Sequence, residues 1–172
     1  MDKASLRLKH LNLRKNNQSS LSQSATLITQ QCLTKLETFK VIGIYISKEL
    51  EVDTRMIIKR LLEQNKTVCV PKIVDHTMIF IQIHDLSECA LSSFDILEPI
   101  SNQVYLMSIE VMLIPMLAYN ASLHRLGWGL GYYDQYLKNY HGYKLGLCFK
   151  MNLEPLLNPS LYDVACDEII SA

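Results

Sequence analysis

The segment Arg125-Leu126-Gly127-Trp128-Gly129-Leu130-Gly131-Tyr132-Tyr133-Asp134 carries the most specific chemistry in this chain. Only six glycines occur in 172 residues, and three of them stand at alternate positions here. Glycine at every second residue lets the backbone turn sharply and approach a ligand, so that N–H groups converge on an anion. Phosphate is the natural guest, and a helix beginning near Tyr132 adds its partial positive end. Two familiar phosphate loops are excluded by spacing. A dinucleotide fingerprint requires glycine where Tyr132 stands, and a P-loop requires Gly-Lys-Ser/Thr where the chain reads Gly131-Tyr132-Tyr133. The other reading of the same glycines is a strand-to-helix turn that only permits tight packing.

Three further groups bear on that choice. Asp134 lies in the first helical turn, where the dipole favours a carboxylate whatever its function; beside a phosphate it equally suits Mg²⁺, which takes one or two carboxylates together with phosphate oxygens. Arg125 is the only lysine or arginine between Lys72 and Lys138, and is either a bidentate phosphate contact or an ordinary solvated arginine. Lys3, Arg7, His10 and Arg14 fall within about 60° on a helical wheel. Such a basic stripe is either solvated or, if its helix crosses the carboxyl edge of a sheet, a source of the cations that the glycine loop lacks.

The elements that must position these groups follow from hydrophobic periodicity. A helix is expected over Lys3–Asn16, capped by Asp2, and a second over 19–35. Buried strands are expected over 41–46, over 67–70 ending at Pro71, and over 78–83, 111–115, 145–149 and 168–170; helices are expected over 54–64 and from Tyr132 to about Asn139. Residues 84–108 show little regularity, and 95–99 reads as an extended turn. Strands apolar on both faces, alternating with helices, imply an α/β fold: a single-domain three-layer α/β/α sandwich, Rossmann-like, with a mostly parallel central sheet preceded by two N-terminal helices. In such a sheet ligands bind outside the carboxyl ends of the strands, which is where the glycine loop falls.

Composition narrows the function classes. The length fits about one domain, 1–172, at ~150 residues each. Basic and acidic residues number 17 each, so a general polyanion binder is excluded. The first 40 residues nevertheless carry seven basic and two acidic groups, a basic leading segment on an acidic body. The five cysteines are widely spaced with no C-x-x-C pair, which fits buried thiols rather than disulfides or a zinc ribbon. The apolar run over 111–119 is far short of the ~20 residues of a membrane span, and no apolar core follows the charged N-terminus. A cytoplasmic protein with no membrane or nucleic-acid partner is expected.

Together these residues resemble the 5-formyltetrahydrofolate cyclo-ligase family, also called 5,10-methenyltetrahydrofolate synthetase. Lys3-Ala4-Ser5-Leu6-Arg7 is similar to its K-x-x-L-R opening, and Glu51-Val52-Asp53-Thr54 to its G-E-V/L-D-T loop. Val70-Pro71 and Glu98-Pro99 fall at its V-P and E-P positions, and Asp163-Val164-Ala165-Cys166-Asp167 resembles its closing H-D-V-P-x-D segment. The most specific likeness is that of residues 125–134 to R-L-G-x-G-x-G-Y-Y-D.

The resemblance implies an ATP- and Mg²⁺-dependent ligase that converts 5-formyltetrahydrofolate to 5,10-methenyltetrahydrofolate with release of ADP and phosphate; a monomer is expected. It implies that Lys3, Arg7, Arg125 and the loop from Leu126 through Gly127, Trp128, Gly129, Leu130, Gly131 and Tyr132 to Tyr133 bind ATP. Ile46, Glu51 and Trp128 to Tyr132 would line the folate pocket, Asp134 and Asp163 would hold Mg²⁺, and Arg125, Tyr132 and Asp134 would be catalytic. Met116, Asn120 and Leu123 depart from the family's Gly, Asp and Gly, which leaves the shape of that loop open. Trp128 and Leu130 replace basic residues of some members, so weaker ATP binding is expected. Two rivals remain: a non-catalytic nucleotide- or folate-binding homologue, and a phosphosugar isomerase-like enzyme on the same broad architecture.

Overall fold

The computed structural model describes residues 2–92 and 96–172. Helix α1 (Lys3–Asn16) starts at Asp2, whose carboxylate accepts the Ser5 N–H at 2.7 Å, and helix α2 (Gln18–Lys35) follows. The central sheet contains β1 (Val41–Ile44), β2 (Thr67–Val74), β3 (Thr77–Ile83), β6 (Val111–Pro115), β9 (Tyr143–Cys148) and β10 (Glu168–Ser171). Their order is β10-β9-β6-β1-β2-β3, parallel throughout except for the β2–β3 pair.

The strands are apolar on both faces because both faces are covered. On one, α2 and α3 (Arg55–Glu63) bury Ile28, Cys32, Ile57, Ile58 and Leu61 against Ile42, Ile44 and Leu113. On the other, the short helix α4 (Tyr132–Leu137) and the chain around Ile109 pack on Met112, Ile114 and Cys148. The three-layer α/β arrangement expected from the strand pattern is present. Among the described residues no helix is long and apolar enough to cross a membrane.

Several elements differ from the sequence reading for local reasons. Strand β2 does not stop at Pro71 but continues to Val74; its pairing with β1 ends at Cys69, so Pro71 lies where β2 is paired only with β3. Asp75 and His76, both at positive φ, form the two-residue turn that makes β2 and β3 a hairpin. The extended turn expected over 95–99 begins at Asp95, outside the described residues, while Leu97–Pro99 is strand β5, paired with β4 (Cys89–Leu91). Three-residue strands are too short to leave a period in the sequence. Strand β1 ends at Ile44 and α4 at Leu137, both shorter than expected, and the connection before the glycine loop contains a further hairpin, β7 (Ala118–Tyr119) and β8 (Arg125–Leu126).

Candidate active site

A cavity of about 760 Å³ opens where the parallel strands end, and every residue expected to bind ATP, folate or Mg²⁺ lines it. The start of α1, the loop after β1, the glycine loop and the segment at Asp163 meet there, with residues of β2, β3, β5 and α4 completing the wall. The glycine loop follows β8 and closes on α4. Gly129 has φ 111° and Gly131 has φ 73°, conformations that L side chains rarely adopt. At Gly129 a Cβ would also stand 3.3 Å from the Arg7 guanidinium, so the loop and α1 approach closely there.

The basic stripe of α1 is not solvated. Lys3 Nζ meets Asp163 Oδ2 at 2.5 Å, and Arg7 Nε donates to the Gly127 carbonyl at 2.8 Å, which sets both cations on the cavity wall. Further along the same face the groups are buried and form one chain of hydrogen bonds. Arg14 Nε donates to Asn152 Oδ1 at 3.0 Å, Asn152 Nδ2 lies 3.0 Å from His10 Nδ1, and His10 Nε2 lies 2.9 Å from Glu154 Oε2. A neutral imidazole protonated on Nε2 satisfies every link. Burial disfavours the charged form of His10 and outweighs the attraction of Glu154, so its pKa lies below the ordinary value. Glu154 is held down at about 2, chiefly by the hydrogen bond from Lys9 at 2.5 Å.

Arg125 is placed otherwise than a phosphate grip in solvent would be. Its side chain is 3% exposed; Nη2 meets Asp134 Oδ1 at 2.5 Å and Nη1 donates to the Val164 carbonyl at 2.6 Å. Val164 N–H donates in turn to Asp134 Oδ1 at 3.3 Å, so Asp134 and the residue after Asp163 are neighbours. Burial tends to raise the Asp163 pKa, but the Lys3 ammonium and the Ser160 N–H outweigh it and hold the carboxyl below its ordinary range. Among the described residues no group of three or more His, Cys, Asp or Glu converges. Asp134 and Asp163 therefore fit a hard ion that completes its shell from phosphate and water, not a self-sufficient protein cage.

The rest of the wall joins apolar and aromatic side chains with charged ones, among them Lys48 and Glu51. Glu51 Oε1 accepts the Trp128 indole N–H at 2.7 Å and Oε2 accepts the Lys48 N–H at 2.8 Å, while the Lys48 ammonium lies 5.0 Å from the Trp128 ring centre. The Tyr133 hydroxyl is buried in this wall without a hydrogen-bond partner among the described residues, an unmet polar group of the kind a ligand satisfies. Burial raises its pKa, so it remains a donor. Residues that sequence reasoning missed include Tyr45, Pro71, Ile73, Met78, Leu97 and Lys138. Only Pro71 had a signal, in the Val70-Pro71 likeness; the others reach the cavity through strand pairing and chain packing. All five thiols are raised by burial, Cys32, Cys69 and Cys148 to about 12 and Cys89 and Cys166 to about 11, and offer no nucleophile.

The three departures from the family pattern are accommodated. Met116 fills the space that Gly146 leaves, where a Cβ would stand 2.3 Å from its Cε. Asn120 shapes the β7–β8 hairpin, its Oδ1 accepting the Ser122 and His124 N–H groups at 3.0 Å. Leu123 takes φ 61°, the conformation for which glycine is suited. None of the three lines the cavity.

The model of the 5-formyltetrahydrofolate cyclo-ligase family matches residues 1–171. Among curated relatives, the 5-formyltetrahydrofolate cyclo-ligase of Mycoplasma genitalium is 30% identical over 99% of this chain and 98% of its own. That of Haemophilus influenzae is 27% identical over 86% and 85%. The solved 5,10-methenyltetrahydrofolate synthetase of Mycoplasma pneumoniae is 26% identical, with TM-score 0.79 over 99% of this chain and 98% of that one. With a match along nearly its whole length and the family's loop lining the cavity, this chain belongs to the 5-formyltetrahydrofolate cyclo-ligase family.

Proposed function

We propose that this protein, as one domain spanning 1–172, cyclises 5-formyltetrahydrofolate to 5,10-methenyltetrahydrofolate at the expense of ATP, with Mg²⁺ as cofactor. The observation that carries this reading is the convergence of cations, carboxylates and an apolar wall on one cavity. Lys3 and Arg7 bring positive charge to the phosphates, and the N–H groups of the Gly127–Gly131 loop add fixed dipoles. Arg125 holds Asp134 in place rather than reaching for phosphate itself. Asp134 and Asp163 are the residues that would hold Mg²⁺, which when bound neutralises phosphate charge during transfer.

Ile46, with Trp128 and Tyr132, forms the surface for the reduced pterin, and Glu51, aligned by Trp128 and Lys48, is the acceptor for its N–H groups. Tyr133 offers its free hydroxyl to a substrate oxygen. A formamide carbon is a poor electrophile. Phosphorylation of the formyl oxygen releases ADP, attack by N10 on the formyl carbon closes the ring, and phosphate leaves. The protein's task is alignment and charge neutralisation, and no covalent enzyme intermediate is required.

The non-catalytic alternative rests on Met116 and Asn120, but both lie behind the cavity wall and leave it intact. Five free, largely buried thiols accord with a reducing compartment such as the cytoplasm. The test is direct. Purified protein with 5-formyltetrahydrofolate, ATP and Mg²⁺ is expected to produce the ultraviolet band of the methenyl product, and omission of either ATP or Mg²⁺ to abolish it. Folate binding without that band would reject the ligase reading.

A further inference from the structure

Four charged groups at the cavity are closed into two pairs, Lys3 with Asp163 and Arg125 with Asp134, each at 2.5 Å. Both cations are of the kind that grips a phosphate, and both carboxylates of the kind that takes a divalent ion, yet each neutralises the other. The pairs are not equally free to open. Arg125 is tied a second time, to the Val164 carbonyl, and its side chain is 3% exposed. Lys3 is 33% exposed, stands on the first turn of α1, and has no other hydrogen-bond partner among the described residues. Resting on the cyclo-ligase reading, we propose that the Lys3–Asp163 pair is an internal lock that makes nucleotide and divalent cation bind cooperatively.

The reason is electrostatic. If Lys3 turns to metal-free ATP, Asp163, 13% exposed, is left facing a polyphosphate with its counter-charge removed. If Asp163 takes a metal ion alone, Lys3 is left beside a divalent cation. Either half-exchange sets like charges together where water screens them incompletely. When both exchange together, Lys3 gains a phosphate oxygen, Asp163 gains a cation, and no charge is stranded. Each ligand then raises affinity for the other, and by linkage the effect is reciprocal.

Calorimetric titration of the full chain with ATP in EDTA tests the lock in the parent, in D163N, in K3M and in the double variant K3M/D163N. D163N is expected to bind metal-free ATP at least about fivefold more tightly than the parent. The gain should be smaller in the K3M background, where no Lys3 is released to the phosphates, whereas mere loss of a negative charge would act equally in both. Mn²⁺ without nucleotide, followed by electron paramagnetic resonance, should bind K3M more tightly than the parent, by more than in the charge control R7M. If D163N binds metal-free ATP no better than the parent, or gains equally in the K3M background, the lock is overturned while the ATP site stands. Should D163N fail to fold, judged by circular dichroism, the Mn²⁺ comparison decides alone, and equal affinities in K3M and R7M overturn the lock. A parent that binds ATP neither with nor without Mg²⁺ overturns the cyclo-ligase reading itself.

Discussion

Asp134 Oδ1 is engaged by a buried guanidinium and a backbone N–H, an arrangement that orients the carboxylate within the cavity wall. Replacement by asparagine keeps the shape and an acceptor for Val164 N–H but removes the charge that would hold the metal. Since a divalent ion contributes several kcal/mol to a phosphoryl transition state, Asp134→Asn is expected to lower kcat by about 10²–10³ with an unchanged circular dichroism spectrum. Activity within threefold of the parent would remove the metal role from Asp134. Leucines 50 and 123 show a different economy at single residues. Leu123 stands where the family pattern reads glycine and Leu50 directly precedes the Glu51-Val52-Asp53-Thr54 segment, and both adopt the left-handed conformation, Leu50 at φ 66° and Leu123 at φ 61°. The backbone path has been kept at a strain cost of ~1–2 kcal/mol each, while each side chain packs against a core cluster.

Helix α1 brings Lys3 and Arg7 to the cavity, yet its buried residues are only Leu6, His10 and Arg14. Its position thus depends more on polar groups than on apolar area. Arg14 is fully buried and donates to the carbonyls of Leu50, Met116 and Leu117 as well as to Asn152. Methionine at this position would leave several of those acceptors unpaired in the interior. Arg14→Met is therefore expected to destabilise the protein by about 3 kcal/mol or more, measured by urea unfolding, and to raise KM for ATP more than it lowers kcat. A loss below about 1 kcal/mol would show that α1 is held by something else.

At the scale of the molecule, the basic leading segment is bound to the acidic body by pairs far apart in sequence: Lys3 with Asp163, Lys9 with Glu154 and Lys35 with Glu168. This junction titrates. His10, faced by Lys9, Arg14, Asn152 and Glu154, has its pKa below the ordinary 6.5, and Glu154 lies at about 2 against 4.5. Both groups bind fewer protons folded than unfolded, so their contribution is complete above pH 6.5 and is lost as pH falls, first through His10 and then, below 4.5, through Glu154. Unfolding free energy is expected to fall between pH 7.5 and 5.5, and His10→Gln to flatten that slope. An equal slope in both proteins would place the titrating group elsewhere.

The layered α/β fold was legible because buried parallel strands such as Val111–Pro115 are apolar on both faces and helices announce themselves by period and cap, as Asp2 does for α1. The glycine loop was legible because alternating glycines have few other uses, and every residue proposed from it lines the cavity. The β4–β5 and β7–β8 pairs were not, since two- and three-residue strands exist only through their partners. Nor could the partner of each charge be read from the chain. Local sequence determines which residues are charged and which face of a helix they share; whether that face meets water, a carboxylate or a carbonyl depends on segments more than a hundred residues away. Lys3 meets Asp163, Arg7 meets Gly127 and Arg14 meets Asn152 only because folding carries the carboxyl edge of the sheet beneath α1.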